Sequence, residues 1–195
     1  MHHNVNDSET LLKAVEVLKN GGVVMHPTET CYGLAVDILN ESALKKMYNI
    51  KGRDFNKPVS ILVDGFGMAE EYGIFSDKAL QLAHKFWPGP LSIVVPRKRS
   101  LPNFLNPGED FVSIRWSGNS FCEDLVFRFG GPITTTSANV AGEDPLYEAI
   151  KFSDGIDLVV DGGVLSQNQP STIVKVDGDR VEVLRQGGLL IEEAC

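Results

Sequence analysis

The sequence predicts an α/β fold: a single domain over residues 1–195, built on a twisted, mixed, open sheet flanked by helices. Three observations carry this. Short apolar runs of strand length alternate with amphipathic helical segments along the whole chain. Strand-like segments outnumber helical ones yet are mixed with them throughout, which selects a mixed sheet over segregated layers. At 195 residues, 43% hydrophobic and 23% charged, the chain can bury a full core, and it shows no repeat, linker or low-complexity tract.

The elements follow in order. Asp7 or Ser8 caps a helix with Leu11, Leu12, Val15 and Leu18 on one face, ending at Asn20-Gly21-Gly22. Gly22–His26 and Tyr32–Ile38 read as strands. Asn40 or Ser42 opens a helix with Ala43, Leu44, Met47 and Tyr48 inward, and that helix delivers Lys51 and Arg53 at its far end. Val59–Val63 is strand-like. Ser76 caps a helix carrying Ala79, Leu80, Ala83 and Phe86, stopped by Trp87-Pro88-Gly89-Pro90; His84 on it is an exposed or capping residue. Strands Leu91–Pro96 and Phe111–Trp116 flank a Pro- and Gly-bearing loop. Asn119 or Ser120 starts a helix with Leu125, Val126 and Phe129, closed by Gly130-Gly131. Pro132–Thr136 and Leu158–Val160 are strands, and Thr172–Val176 pairs with Arg180–Leu184 across the hairpin signal Asp177-Gly178-Asp179.

Composition narrows function. A net charge of −8 argues against a broad nucleic-acid-coating surface. The basic groups are local: Lys51, Arg53 and Lys57, then Arg97-Lys98-Arg99, a run that is either a solvated loop or a contact for RNA phosphate or a nucleotide. No apolar run approaches a membrane span, and Met1-His2-His3-Asn4 lacks signal-peptide features, so a cytoplasmic protein is expected. Cys31, Cys122 and Cys195 are odd in number and far apart, which favours reduced thiols over disulfides; Cys31 reads as a semi-buried filler rather than a reactive thiol.

Chemistry-bearing residues gather at element ends. His26-Pro27 breaks a strand, and Thr28, Glu29 and Thr30 follow with two hydroxyls and a carboxylate. Lys51-Gly52-Arg53 sets two cations around a turn glycine, an arrangement suited to a phosphate. In Thr134-Thr135-Thr136-Ser137-Ala138-Asn139, β-branched strand residues pass straight into small hydrogen-bonding ones, which bind polar ligands or simply cap a turn. Arg115 ends a strand as a surface residue or a carboxylate fork. Ser171-Thr172 with Arg185 forms a fourth group. Ser137 has no G-x-S-x-G elbow, and His26 or His84 would be an arbitrary base for it. P-loop, dinucleotide and metal-binding spacings are absent.

Taken in order, HPTETCYGL, KGRDFNKP, FWPGPLSIVVP, VSIRW, PITTTSANVAG, STIV and VLRQG resemble the YrdC family of threonylcarbamoyl-AMP synthases, from about Gly21 to Gly187. The resemblance implies an open α/β fold around a positively charged cavity. It implies synthesis of threonylcarbamoyl-adenylate and pyrophosphate from L-threonine, bicarbonate and ATP with Mg²⁺, for modification of adenosine 37 of tRNA. Downstream threonylcarbamoyl-transfer proteins would be partners, with tRNA or RNA contact and no membrane. The family signature falls on Lys51, Arg53, Ser137 and Asn139. It also implies Thr28, Arg115, Thr135 and Ser171 around threonine, Arg185 with the signature residues near ATP, Lys51 and Arg53 as the catalytic cations, and no protein-held metal. The chain resembles the short form without an extra C-terminal domain. It departs from the usual pattern at Cys31, Ala35, Trp116 and Gln186, and has Ser60, Ile61 and Leu62 where some members carry a histidine. Two other classes stand beside the synthase: a non-catalytic RNA-binding module and an adenylate-handling hydrolase.

Overall fold

Side-chain caps set the helix starts largely where the sequence puts them. In the computed structural model, which describes residues 1–149 and 154–191, α2 (Glu41–Ile50) is capped by Asn40, whose Oδ1 accepts from the Ala43 N–H at 3.0 Å. Ser76 caps α4 (Asp77–Phe86), and Asn119 caps α5 (Ser120–Phe129), which ends on left-handed Gly130. The first helix, α1 (Thr10–Lys19), starts later than expected. Asp7 instead accepts from the Glu9 N–H in a turn, and Glu9 is an N-cap without a side-chain bond. Its buried face is Thr10, Ala14, Val15 and Leu18, so Leu12 is left 57% exposed.

Two elements leave no clear mark in the sequence. The helix α3 (Phe66–Tyr72) begins between Gly65 and Gly67 and buries only Ala69, too little for a periodic signal. Strand β1 (His2–Asn4) has no apolar alternation; backbone pairing to β8 (Leu158–Asp161) holds it. The other strands are β2 (Val24–His26), β3 (Gly33–Ala35), β4 (Ser60–Leu62), β5 (Leu91–Pro96), β6 (Phe111–Arg115), β7 (Ile133–Ser137), β9 (Thr172–Asp177) and β10 (Arg180–Arg185). They form one mixed, open sheet in the order β1-β8-β2-β3-β7-β4-β6-β5-β9-β10. The expected strand Tyr32–Ile38 is shorter because it is interrupted at Val36, whose N–H donates to Thr134 Oγ1 while its carbonyl still accepts from the Thr134 N–H, and pairing beyond it is an isolated bridge between Asp37 and Ile133.

Helices cover both faces. On one, α1 and α5 pack on Val24, Ala35, Leu62, Ile133 and Leu158; on the other, α2, α3 and α4 cover Met25, Leu34, Ile61 and Ile93. Each large side chain so buried contributes about 1.5–3 kcal/mol. The period-2 alternation of each strand carries one face past the ends of the helices. On the α1/α5 face, Ile133 is succeeded at intervals of two by Thr135 and Ser137, Leu62 is preceded by Ser60, and Ala35 by Gly33. The register Leu62↔Ile133, Ser60↔Thr135 and Gly33↔Ser137 aligns these changes across three strands. The apolar floor under the helices therefore becomes a hydroxyl floor beyond them.

Candidate functional site

That hydroxyl floor belongs to a cavity of about 380 Å³. Seven neighbouring strands, from β3 across to β10, bring residues to its wall, joined by the loop after β2, the KGR turn and the chain after β7. Of the nine residues marked out in the sequence, eight line it: Thr28, Arg53, Arg115, Thr135, Ser137, Asn139, Ser171 and Arg185. Lys51 does not.

Lys51 ends α2, and Gly52 at φ +57° reverses the chain there, so the two cations part company. The Lys51 side chain is 2% exposed and turns inward. Its ammonium donates to the Ser137 carbonyl, to the Asn139 carbonyl at 3.1 Å and to Asn139 Oδ1 at 3.0 Å, which uses all three protons. Burial, then the nearby Arg53 charge, pull its pKa down to about 8. Arg53 faces the cavity, tied by a single bond from Nη2 to the Pro58 carbonyl at 2.8 Å, with Nε buried and unpartnered.

The Ser137–Asn139 turn is held from inside by Lys51 and shaped by its own side chains. Ser137 Oγ donates to Asn139 Oδ1 at 2.6 Å, and Asn139 Nδ2 donates to the Glu143 carbonyl at 2.6 Å. Thr28 is used in a similar local way. Its hydroxyl accepts from the Thr30 and Cys31 N–H groups and donates to the Cys31 carbonyl at 2.7 Å, so it builds the loop it stands on. Thr135 stands on the floor opposite Ser60, whose hydroxyl bonds Ser113 at 2.7 Å. Ser60, one of the departures from the usual pattern, is thus part of the cavity.

Arg115 is the fork reading rather than the surface one: it is 6% exposed. Its Nη2 meets Glu29 Oε1 at 2.7 Å, a pairing across 86 residues that no local pattern in the sequence marks. Arg185 reaches the cavity through an irregularity. By alternation it would share the core side of Val181 and Val183, but a β-bulge between Val183 and Arg185 sets it opposite Ile173. That one-residue shift flips its side chain to the cavity face. There Nε and Nη2 donate to the Ser171 carbonyl at 3.0 and 2.7 Å, and Nη2 to Ser171 Oγ at 3.0 Å. Ser171 and Arg185, expected near different substrates, form one cluster. Burial and the Arg115 charge lower the Arg185 pKa.

Among the described residues, three arginines and one acidic residue, Glu143, line the wall of this acidic protein. An anion entering there relieves their mutual repulsion. Among the described residues no cluster of three or more His, Cys, Asp and Glu side chains is placed to hold a metal. Neither His26 nor His84 lines the cavity. Burial drives the His26 pKa down to about 4, and the exposed His84 ring stacks on Phe66 at 4.3 Å, as its surface reading required. Neither can serve Ser137 as a base. Cys31 sits in the wall with its thiol pKa raised by burial, the behaviour of a filler. Cys122 is buried and free, and Cys195 lies outside the described residues.

The basic run 97–99 is only in part a surface. The Arg97 guanidinium donates to the carbonyls of Pro102, Leu105 and Asn106 and ties the 97–110 loop, while Lys98 donates to the Glu70 carbonyl. One of the three cations offered for RNA phosphate, Arg97, is spent inside the fold, while Lys98 and Arg99 stay exposed. No helix among the described residues is long and apolar enough to cross a membrane.

Comparison with known proteins identifies the family. The Sua5/YciO/YrdC family profile, described as telomere recombination, matches residues 16–187. A Methanocaldococcus jannaschii protein named putative threonylcarbamoyl-AMP synthase is 34% identical over 98% of this chain and 93% of its own length. The Pyrococcus abyssi threonylcarbamoyl-AMP synthase is 32% identical over 92% of this chain, which spans only 54% of that protein. The crystal structure of P. abyssi Sua5 complexed with L-threonine superimposes with a TM-score of 0.88 at 29% identity, over 97% of this chain and 57% of that one. The chain thus carries the fold of these proteins over almost its whole length, and it belongs to the Sua5/YciO/YrdC family.

Proposed function

We propose that this protein is an L-threonylcarbamoyladenylate synthase, which joins L-threonine, bicarbonate and ATP into threonylcarbamoyl-AMP and pyrophosphate. The observation that carries it is a single cavity in which a buried carboxylate fork, Arg115, and an anion-binding wall, Arg53 with Ser137 and Asn139, face one hydroxyl floor. Arg115 and Ser137 stand on strands separated by one other, β4, and are offset by four residues along them, so their backbones lie roughly 16 Å apart. That is room for an amino acid at one end and a nucleotide α-phosphate at the other. Support also comes from the named synthases among the relatives and from the threonine complex of P. abyssi Sua5.

The chemistry asks for positioning more than for a nucleophile. The threonine amine adds to bicarbonate-derived carbon dioxide and loses a proton, giving a carbamate. A carbamate oxygen then attacks the α-phosphorus, and the bond to the pyrophosphate oxygen breaks. Arg53 stabilises charge on the departing pyrophosphate, with Mg²⁺ arriving as the MgATP substrate complex. Ser137 and Asn139 hold the adenylate end. Arg115 grips the threonine carboxylate beside Thr28 and Thr135, and the Ser171–Arg185 cluster closes the side where the two substrates meet. Lys51 acts from behind by fixing the Ser137–Asn139 turn. The product serves tRNA adenosine-37 modification through transfer proteins, and the cytoplasm is the compartment that fits. Internal use of Arg97 weakens the RNA-module reading, and the absence of histidine from the wall weakens the hydrolase.

Exchanging Arg115 for lysine replaces a planar fork with a point charge. The threonine KM of Arg115→Lys rises by about tenfold or more, and the ATP KM stays within about twofold, a split that steady-state titration of each substrate measures. An effect confined to ATP, or equal for both, contradicts this placement.

A further inference from the structure

Glu29 has no part in the reaction as proposed, yet it is the most heavily bonded carboxylate near the cavity. Its side chain is 23% exposed but does not line the wall; it stands behind Arg115. Oε1 accepts from Arg115 Nη2 at 2.7 Å and from the Gly118 N–H at 3.3 Å, and Oε2 accepts from the Ser117 hydroxyl. Ser117 Oγ in turn accepts from the Asn119 N–H at 3.2 Å, where α5 begins. The Glu29 carbonyl accepts from Asn168 Nδ2 at 3.1 Å, which ties in the loop before β9. Two segments distant in sequence, 115–119 and the loop before β9, thus close on one residue. Burial alone would raise its pKa, but the Arg115 charge and the bonds from Ser117 and Arg115 outweigh that and hold it lowered, so the carboxylate stays ionised at neutral pH.

From the other side, only one corner of the Arg115 guanidinium is occupied. Nη2 serves Glu29 and, at 3.4 Å, Thr30 Oγ1. Nε is buried without a partner, and among the described residues Nη1 has none either. A long, flexible side chain is therefore held by one end while its remaining donors are kept free.

We propose that Glu29 is a positioning residue that fixes the Arg115 guanidinium plane so that Nη1, unpartnered and not buried, meets the carboxylate of the amino-acid substrate. The proposal rests on the synthase reading. It gives Glu29 a second effect. With the Arg115 charge already matched, an incoming carboxylate is held by directed hydrogen bonds more than by bare attraction, which favours a ligand of the right shape over any anion.

The test is the kinetics of Glu29→Ala and Glu29→Gln in the full chain, with KM for threonine and ATP and kcat measured separately. Glu29→Ala frees the guanidinium, and misplacement of this kind raises the threonine KM by about tenfold or more while the ATP KM stays within about twofold. Glu29→Gln keeps an acceptor for Nη2 but loses the charge assistance, which roughly halves the bond, so it shows the same selective effect at about three- to fivefold. Glu29→Gln also guards against an alanine variant that fails to fold. Equal rises in both KM values, a fall in kcat or in thermal stability with both KM values unchanged, or no change in threonine KM in a folded Glu29→Gln protein overturns the positioning role alone. A wild-type protein without threonine-dependent turnover refutes the synthase reading and this proposal with it.

Discussion

Arg53→Ala lowers pyrophosphate formation by about 10²–10³-fold, the usual cost of removing one group that stabilises charge only in the transition state. The unfolding midpoint hardly moves. Arg53 is half-buried and makes one bond to the protein, Nη2 to the Pro58 carbonyl, so its loss leaves the core intact. The remaining donors of its fork face a cavity that also holds Arg115 and Arg185, and like charges gathered this closely serve an anion better than they serve stability. The measurement is pyrophosphate release by the purified variant, with circular dichroism as the check on fold. Unchanged turnover in a folded protein removes Arg53 from the mechanism.

Lys51→Met loses activity to a similar degree but for another reason, and it loses stability as well. Methionine fills the space of the lysine stem yet donates nothing. The Ser137 and Asn139 carbonyls are then left without the ammonium, and Asn139 Oδ1 keeps only Ser137 Oγ. The Ser137 carbonyl still accepts from the Asn139 N–H, but the Asn139 carbonyl has no other donor, and one buried acceptor left unsatisfied costs about 1–3 kcal/mol, which appears as a fall of a few degrees in unfolding midpoint. The turn that presents Ser137 and Asn139 shifts, and activity falls with it. The pH dependence carries a sign. The folded Lys51 pKa, about 8, lies below the ordinary value of 10.5, so across that window the folded protein has released a proton that the unfolded chain still holds. Stability contributed by this group therefore rises with pH through the window. Burial raises the pKa of Tyr32, Tyr48 and Cys122, and these groups act in the opposite direction. They cancel in the difference between wild type and Lys51→Met, so urea unfolding of both proteins from pH 7 to 10.5 isolates the lysine. A gap between them that does not widen with pH contradicts the buried, cationic Lys51.

The legible parts of this molecule are those whose physics is local. Asn40, Ser76 and Asn119 cap helices because a side-chain oxygen reaches a backbone N–H two or three residues on, and Gly130 ends α5 because it alone tolerates the left-handed turn there. The ordered motifs placed eight residues on one cavity wall because each lies at or near the end of a strand or a helix. What escaped depends on distant partners. Lys51 and Arg53 looked like a pair, and only the approach of β7 shows that one turns inward. Arg97 looked like a surface cation, and only the path of the 97–110 loop shows it surrounded by carbonyls. The bulge that turns Arg185 leaves no mark in VLRQG, and the Glu29–Arg115 pair joins motifs that read separately.

Whether one cavity couples a carbamate of threonine to the α-phosphate of ATP is read from pyrophosphate and adenylate product under single-omission conditions. The complete mixture contains MgATP, L-threonine and bicarbonate, with bicarbonate depletion as the stringent arm. Pyrophosphate forms with threonylcarbamoyl-AMP in equal amounts, and omission of any one component stops both. L-Serine in place of threonine works less well but not negligibly, since one methyl group is worth only about 1–3 kcal/mol. AMP or ADP formed at full rate without threonine contradicts the synthase and leaves a hydrolase; no turnover under any condition, with tight RNA binding, leaves the binding module.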